Sequence, residues 1–373
     1  MNARLRATLL LPFLLVMAAP LFGQPKRKVI IDQDCRGPAT TDLQAVLMFI
    51  QSPEVETLGI TVVSGDQWRD EEVAHTLRLL EIIGRTDIPV VAGAVFPLVN
   101  SKEETKRWEK LYGKVVYQGA WNEHKVGNYP GAWNRGKDLG PFVVPPLPEG
   151  NPTTKPANED AAHFMIRMVH QYPHEVTIYA GGPLTNLALA IAIDSQFAEL
   201  AKELVVMGGS IAPAHERASQ ATSIRREFNF WWDPEATRIV LRAPWPKITV
   251  TTVDISIKTR LRQAMIDEIG QAQTAVAQYL GKWADEEYMW DELAAAAWLD
   301  PSIITKQEQL YMDISIDHGA SYGDTLVWAE GNQPGLGERK VIVQEDLNTE
   351  KLYRMFIDLM KGPTPGAKAV KGS

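Results

Sequence analysis

Residues 28–42, KVIIDQDCRGPATTD, constrain the fold of this chain more than any other segment. The first five residues are typical of a short buried strand, and three acids end or follow it: Asp32, Asp34 and Asp42. In an open α/β sheet, ligands bind in the crevice beyond the carboxyl ends of the strands. These acids are therefore placed where chemistry occurs, and a hard cation is the expected occupant.

Strand and helix patterns alternate after this segment. Strands are predicted at residues 57–63, 88–92, 176–180 and 203–207, and helices at 43–51, 71–83, 158–172, from 184, and at 233–241, 261–283, 291–299 and 348–360. This alternation predicts right-handed crossovers and a mostly parallel, Rossmann-like sheet flanked by helices. Strand-like pieces at 310–316, 325–328 and 340–344, separated by turn-forming residues, predict a small antiparallel extension.

We therefore expect a single α/β domain over residues 25–362, followed by a mobile tail over residues 363–373. Residues 96–156 interrupt the alternation and are rich in Gly, Pro and Trp. A long irregular insertion in a compact domain is usually a functional loop or a lid.

The first residues predict export. Arg4 and Arg6 precede an apolar run over residues 9–22, which is short for a membrane span and leads into Gly23 and Gln24. This arrangement is typical of a secretory signal peptide over residues 1–24. It predicts a periplasmic or secreted protein with no stable membrane anchor.

Composition narrows the class of partner. The net charge of −8, from 38 basic and 46 acidic residues, makes nucleic acid an unfavourable partner. The single cysteine, Cys35, excludes an internal disulfide and a Cys-based zinc cluster. We expect Cys35 to be a small packed residue rather than a reactive thiol.

Five later segments, together with the acidic loop, carry a resemblance to a known family. They are GITVVSGD (59–66), GGPLTNLALA (181–190), VVMGGSI (205–211), EFNFWWDPEA (227–236) and YMWDELAAAAWLDP (288–301). In this order and spacing the chain resembles the calcium-dependent nucleoside hydrolases, whose Asp-x-Asp-x-Gly-x-Asp-Asp loop is matched in part by Asp32, Asp34 and Asp42. The resemblance implies an enzyme that hydrolyses the N-glycosidic bond of ribonucleosides to base and ribose, and that forms homo-oligomers.

The resemblance also implies a set of Ca²⁺ ligands. Asp34 would bind the ion and act as general base on a metal-bound water. Asp42 and Asp291 would complete the carboxylate shell, and the backbone carbonyl of Gly181 would be a neutral ligand. Asp32 would support these groups without touching the ion. Asp291 considered alone would have an adequate explanation as a helix N-cap.

The substrate contacts implied by the resemblance lie in the later segments. Glu227 and Asn229 would hold the ribose hydroxyls, and Met207 would lie under the sugar. Trp290 stands where one branch of the family has a histidine that assists the leaving base. The chain is similar instead to the inosine-adenosine-guanosine preferring branch, in which a tryptophan stacks on the purine, and Asp66 in place of the commoner Asn agrees with that branch.

Trp108 and Trp121, both in the insertion, are candidates for a second stacking ring, and the sequence does not decide between them. Loop tryptophans more often pack a loop down than bind a ligand. His124, in the same loop, is a weaker candidate for an acid that protonates the leaving base.

The acidic loop departs from the family pattern at two points. Thr41 stands at the substrate-binding position where an Asp that grips the ribose is expected, and losing that carboxylate removes a hydrogen bond worth about 1.5 to 3 kcal/mol. The loop is also longer than usual and carries Arg36 and Pro38. We expect Arg36 to be solvated rather than to face a charged group of the substrate.

Two alternatives stay open on the sequence. A noncatalytic periplasmic nucleoside-binding protein would keep the cation and purine pocket without turnover, which the change at Thr41 would explain. A magnesium-dependent phosphohydrolase would use Asp32 as nucleophile and Asp34 as acid. This second alternative is weaker, because that chemistry also needs a phosphate-binding lysine and a further acidic pair.

Overall fold

The structure is a computed structural model that describes residues 25–115, 117–123, 138–211 and 225–368. The predicted signal peptide, His124 and residues 369–373 of the predicted tail lie outside the described residues.

One sheet runs through the described part of the chain. Its strands are β1 (Arg27–Gln33), β2 (Val55–Val62), β3 (Val90–Ala92), β4 (Val176–Ala180), β5 (Glu203–Met207), β6 (Ile248–Thr251), β7 (Ile304–Ile314), β8 (Thr325–Trp328) and β9 (Arg339–Leu347). Their order is β3-β2-β1-β4-β5-β6-β9-β7-β8. All pairs from β3 to β9 are parallel, and β7 pairs antiparallel with both β9 and β8. The predicted α/β fold with an antiparallel extension is confirmed, and the extension continues the main sheet.

Helices cover both faces of this sheet. They are α1 (Thr41–Gln51), α2 (Arg69–Ile82), α3 (Lys102–Tyr112), α4 (Ala161–Gln171), α5 (Thr185–Ile193), α6 (Phe197–Leu200), α7 (Phe228–Trp232), α8 (Pro234–Arg242), α9 (Val253–Ser256), α10 (Gln263–Gly270), α11 (Ala275–Trp283), α12 (Trp290–Leu299) and α13 (Thr349–Lys361). One apolar cluster joins the sheet to α1, α2 and α10 to α13, and a second joins it to α4, α5, α6 and α8. Within the described ranges, no helix has the length and apolarity that a membrane crossing requires.

Helix α1 is enclosed by protein on all sides. All of its eleven residues are buried, and it packs against α12, α13 and β2. A helix that is apolar around most of its circumference can be stable only in such a position. Asp42, in its first turn, is consequently carried by a segment that is fixed by packing.

The structure contains elements that the sequence analysis missed. Strand β6 has only four residues, ITVT, and so short an alternation of apolar and polar residues is not enough to predict a strand. Helix α3 lies inside the insertion that we expected to be irregular, and of its residues only Thr105 is buried. Its apolar face is too narrow to mark a helix, although Ser101 caps its N-terminus by accepting a hydrogen bond from the Glu104 N–H.

The predicted helix over residues 261–283 is two helices, α10 and α11. Gly270 ends α10, and Gly281 in α11 packs against it: a Cβ on Gly281 would lie 3.0 Å from the Gly270 Cα. The two glycines let the helices approach closely, so the chain turns back where a continuous periodic pattern suggested one helix.

The start of the predicted tail contacts the end of α2. The Arg85 Nη1 donates to the Pro365 carbonyl at 2.9 Å. The Lys368 N–H donates to the Gly84 carbonyl at 2.9 Å. Residues 363–368 are therefore in contact with the domain.

Candidate active site

The predicted site residues follow the carboxyl ends of four neighbouring strands. Strands β2, β1, β4 and β5 are adjacent and parallel. Their ends lead into Gly65 and Asp66, into Asp34, into Gly181 and into Gly208. Helices α1, α7 and α12 then begin at the same edge of the sheet. Segments distant in sequence are thereby brought to one place.

Asp34 lies between two glycines. Its side chain is buried, and its Oδ2 accepts a hydrogen bond from the Asp66 N–H at 2.9 Å. A Cβ on Gly65 would lie 2.1 Å from Oδ2, and one on Gly182 would lie 2.7 Å from Oδ1. The carboxylate therefore fits only because both neighbours lack a side chain. Burial, and then the charges of Asp66 and Asp42, raise the pKa of Asp34 well above its ordinary value.

Asp42 is held by side chains from its own loop. Its Oδ2 accepts a hydrogen bond from the Thr40 Oγ1 at 2.8 Å, and its Oδ1 accepts one from the Gln33 Nε2 at 3.3 Å. Burial, followed by the charges of Asp66 and Asp291, raises its pKa.

Asp291 is fixed by Tyr179 and Thr41. The Tyr179 hydroxyl donates to the Asp291 backbone carbonyl at 3.1 Å. The Thr41 Oγ1 lies 3.1 Å from Asp291 Oδ2 and 2.6 Å from Glu292 Oε2. Burial and the charge of Glu292 raise the pKa of Asp291. Thr41, which the sequence placed at the substrate, thus contacts two carboxylates of α12.

The predicted sugar-binding residues hold one another. The Asn229 Nδ2 donates to the Gly181 carbonyl at 2.6 Å and to the Met207 carbonyl at 3.2 Å. Glu227 is the N-cap of α7 and accepts from the N–H groups of Asn229 at 2.8 Å and Phe230 at 3.0 Å. These contacts bring Gly181, Met207, Glu227 and Asn229 together.

Asp32 faces a different set of partners. Its Oδ1 accepts hydrogen bonds from the Thr61 Oγ1 at 2.6 Å and the Asn186 Nδ2 at 2.8 Å. Burial raises the pKa of Asp32 to about 7, against the opposing effect of these hydrogen bonds. The residue ties β1 to β2 and α5.

The side chains at this edge are of the kind that a hard cation prefers. Asp34, Asp42 and Asp291 are buried carboxylates, Gly181 lies beside Asp291, and the buried Gln33 Oε1 has no hydrogen-bond donor. Burial, followed by the charges of neighbouring acids, raises the pKa of each of these three carboxyls, and a bound cation would oppose that rise. Among the described residues, no three Asp, Glu, His or Cys side chains form a ready metal cluster. Carbonyl oxygens would therefore have to share the coordination.

Arg36 is buried in an ion-pair network, so the expectation of a solvated loop arginine is wrong. Its exposed fraction is 8%. Its Nη1 lies 3.3 Å from Asp66 Oδ2, and its Nη2 donates to Glu287 Oε1 at 2.8 Å. Glu287 is 251 positions away in sequence, so the local pattern could not reveal this partner.

The tryptophans occupy three different environments. The Trp290 ring lies 4.9 Å from the Tyr288 ring, beside the ligand candidate that follows it. Trp121 is buried, and its ring stacks on Trp232 at 4.0 Å. The Trp108 Nε1 donates to the Gly319 carbonyl at 2.8 Å. The substrate roles of these rings stay predictions.

Trp108 also lines a cavity of about 180 Å³. The described lining of this cavity contains none of the predicted Ca²⁺ ligands. Trp231 and Tyr322 lie on its other walls. In this arrangement the Trp108 ring belongs to the packing between the insertion and the strand extension.

Several polar residues at the site escaped sequence reasoning. Gln33, Thr40, Glu72 and Glu292 are buried, and Tyr117 and Glu287 are half-buried. Glu292 carried a signal, since a glutamate beside Asp291 in an otherwise apolar helix needs a buried partner. Gln33 carried one too, because it lies between the two acids of the motif. Tyr117 and Glu287 carried none, because their contacts with Arg36 are made across the fold.

Comparison with known proteins finds similarity over most of the chain. The family model described as inosine-uridine preferring nucleoside hydrolase matches residues 29–354. Uridine nucleosidase 1 of Arabidopsis thaliana is 33% identical over 66% of this chain, and the alignment spans 62% of that protein. The inosine-uridine preferring nucleoside hydrolase of Leishmania major is 25% identical over 90% of this chain and 98% of its own length. A purine-preferring ribonucleoside hydrolase from Gardnerella vaginalis superposes with a TM-score of 0.69, at 19% identity, over 91% of this chain and 99% of its own.

Proposed function

We propose a reaction on one premise: the chain belongs to the inosine-uridine preferring nucleoside hydrolase family. On that premise we infer that it hydrolyses the N-glycosidic bond of ribonucleosides to free base and ribose, with preference for purines and with Ca²⁺ as cofactor. The observation that supports this most directly is the placement of Asp34, buried between Gly65 and Gly182 at the carboxyl end of β1.

Asp34 is the proposed general base. Burial and the neighbouring acids raise the pKa of Asp34, which favours uptake of a proton by its carboxylate, and a bound cation would oppose that rise. The Asp66 N–H holds Oδ2, which fixes the orientation of the carboxylate. Asp34 is therefore arranged to take a proton from an attacking water.

The surrounding acids favour the transition state. Positive charge develops on the ribose ring as the base departs, and fixed anions stabilise it in a site that excludes water. Asp42 and Asp291 supply such charge from fixed positions in α1 and α12.

Asp34, Asp42, Asp291 and the Gly181 carbonyl are the residues that would hold the calcium ion. When bound, the ion would supply positive charge that lowers the pKa of a water molecule and neutralises the buried acids.

The substrate would be held from two sides. Glu227 and Asn229 are proposed to bind the ribose hydroxyls, with Met207 beneath the sugar and Thr41 nearby. Trp290 is proposed to stack on the base, which favours purines because a purine presents the larger ring. Both curated relatives described above bear uridine in their names, so inosine and uridine are compared directly.

The noncatalytic alternative rests on Thr41. Its hydroxyl is bound to Asp291 and Glu292, and it replaces a carboxylate of the family pattern. A protein of this fold without turnover would bind nucleosides and release no base.

One assay separates these functions. The full chain is incubated with inosine, guanosine, uridine and a nitrophenyl riboside, with Ca²⁺ or with a chelator. Base release that a chelator abolishes supports the proposal, and faster release from inosine than from uridine supports the purine preference. Nucleoside binding without any release would favour the noncatalytic alternative.

Asp34→Asn is the first variant to test. It keeps the size of the side chain and an acceptor for the Asp66 N–H but cannot take a proton. We expect kcat/KM for inosine to fall by about 10²- to 10⁴-fold while thermal unfolding stays cooperative. Asp70→Asn, which changes a partly exposed acid of α2 paired with Arg69, is the control. Full activity of Asp34→Asn would contradict the assignment of the base.

A further inference from the structure

The Gln33 side chain lies beside three of the four proposed ligand residues. Its Nε2 donates to Asp42 Oδ1 at 3.3 Å. The amide is also close enough to the Asp291 carboxylate to lower the pKa of that group, against the larger effect of burial. Its Oε1 lies against Gly181, where an added Cβ would be 1.9 Å from Oε1 and 2.7 Å from Asp291 Oδ1. The amide therefore lies among Asp42, Gly181 and Asp291.

The Gln33 side-chain oxygen has no hydrogen-bond donor. The residue is fully buried, and Oε1 is without a partner. Turning the amide over would not help, because it would place the oxygen against the carboxylate of Asp42. Once the acids are ionised, the amide hydrogens must face Asp42, and the oxygen must face the side of Gly181. A buried carbonyl needs a hydrogen-bond donor or a cation, and among these acids a bound cation can fill that role.

We propose that the side-chain oxygen of Gln33 is a ligand of the divalent cation, an inference that rests on the proposed function. Calcium takes six to eight oxygens and accepts amide carbonyls among them. Gln33 would add a neutral oxygen to those of Asp34, Asp42, Asp291 and Gly181. The same amide holds Asp42 through its nitrogen, so one side chain would both bind the ion and orient a neighbouring ligand.

A second buried glutamine provides the control. Gln51, at the other end of α1, is also buried with an unpartnered Oε1, but its Nε2 donates to the backbone carbonyls of Leu359 and Gly362. It has the same chemistry at a place without carboxylates. Any effect of losing a buried amide on folding should therefore appear in Gln51→Met as well.

The test is calcium binding by the chelator-treated full chain, measured by titration calorimetry. We expect Gln33→Met to weaken Ca²⁺ binding by about tenfold or more and Gln51→Met to leave it unchanged. Terbium luminescence lifetimes in H2O and D2O should show about one additional bound water in Gln33→Met, as a lost protein ligand requires. A residue that only orients Asp42 would not change that water count.

Calcium affinity and water count equal to wild type in Gln33→Met would overturn the proposal, and so would a wild-type chain that binds no calcium. If Gln33→Met fails to fold, Gln33→Asn serves instead, because it keeps a buried amide but withdraws the oxygen. Base release by the wild type is measured separately. If the wild type releases base but Gln33→Met binds calcium like the wild type, only this inference is refuted. If Gln33→Met binds calcium more weakly but the wild type releases no base, only the proposed hydrolysis is refuted.

Discussion

Trp290 begins α12 immediately before Asp291, and its half-buried ring lies beside Tyr288. Aromatic stacking contributes about 0.5 to 1.5 kcal/mol beyond the burial of area, which corresponds to about 2- to 12-fold in binding. We expect Trp290→Leu to raise KM for inosine by that factor and to change KM for uridine less. Steady-state kinetics with both nucleosides measures the difference.

Trp283 provides the matched control for this variant. It is a half-buried tryptophan in α11, away from the strand ends, and Trp283→Leu should leave both KM values unchanged. Equal losses on inosine and uridine in Trp290→Leu would show that the ring does not select the base.

Individual site residues were predictable where the contact is local or the motif is specific. Asp34, Asp42 and Asp291 could be named from short segments, and the structure brings their segments to one edge of the sheet. The pairing of Arg36 with Glu287 could not be predicted, because it depends on how a longer loop packs against a distant segment. Gln33 was overlooked because its neighbours in sequence are acids that already explain the motif.

The loop between β1 and α1 is anchored on helix α2. A Cβ on Gly37 would lie 2.5 Å from the His75 ring, so the loop and the imidazole are in direct contact. His75 is buried and forms ion pairs with Glu149 and, at 3.9 Å, with Glu71. Burial disfavours its charged form, but the two carboxylates outweigh that effect and raise the pKa of His75.

The ion pairs of His75 with Glu149 and Glu71 predict that the stability of the fold depends on pH. Because the folded-state pKa is raised, the contribution of His75 is complete below its unfolded pKa of about 6.5 and is lost as pH rises through the folded value. We expect the unfolding free energy of wild type, measured by urea titration, to decline more between pH 6 and pH 9 than that of His75→Gln.

His163→Gln, which changes an exposed histidine of α4, is the control and should retain the wild-type pH curve. Parallel curves for wild type and His75→Gln would refute a charged His75 in the folded state.

Helices and strands were predictable when their apolar residues form a strong periodic pattern. Strand β4 and helices α1, α12 and α13 have strong apolar patterns. The predicted bounds of β4 equal the observed ones, and those of the three helices differ by one or two residues. Helix α3 has an almost wholly polar surface, and β6 has four residues, so neither carries enough pattern to be recognised.

At the scale of the molecule, the sequence predicted the sheet but not how its far edge is built. The alternation of strands and helices predicts a mostly parallel sheet that contains β1 to β5. The insertion of β9 between β6 and β7 depends on pairings between strands far apart in sequence. Nothing in the pattern of β7 to β9 distinguishes a separate extension from a continuation of the sheet.

The complete enclosure of α1 has a kinetic consequence. With every residue buried between the sheet, α12 and α13, this helix has no route by which to open alone. Its amide hydrogens should exchange for deuterium only when the whole domain opens, at a rate set by global stability, whereas those of the largely exposed α3 should exchange far sooner. Mass spectrometry of peptides from both helices measures these exchange rates. Early deuteration of α1 would mean that the segment carrying Asp42 unfolds locally, independently of the rest of the domain.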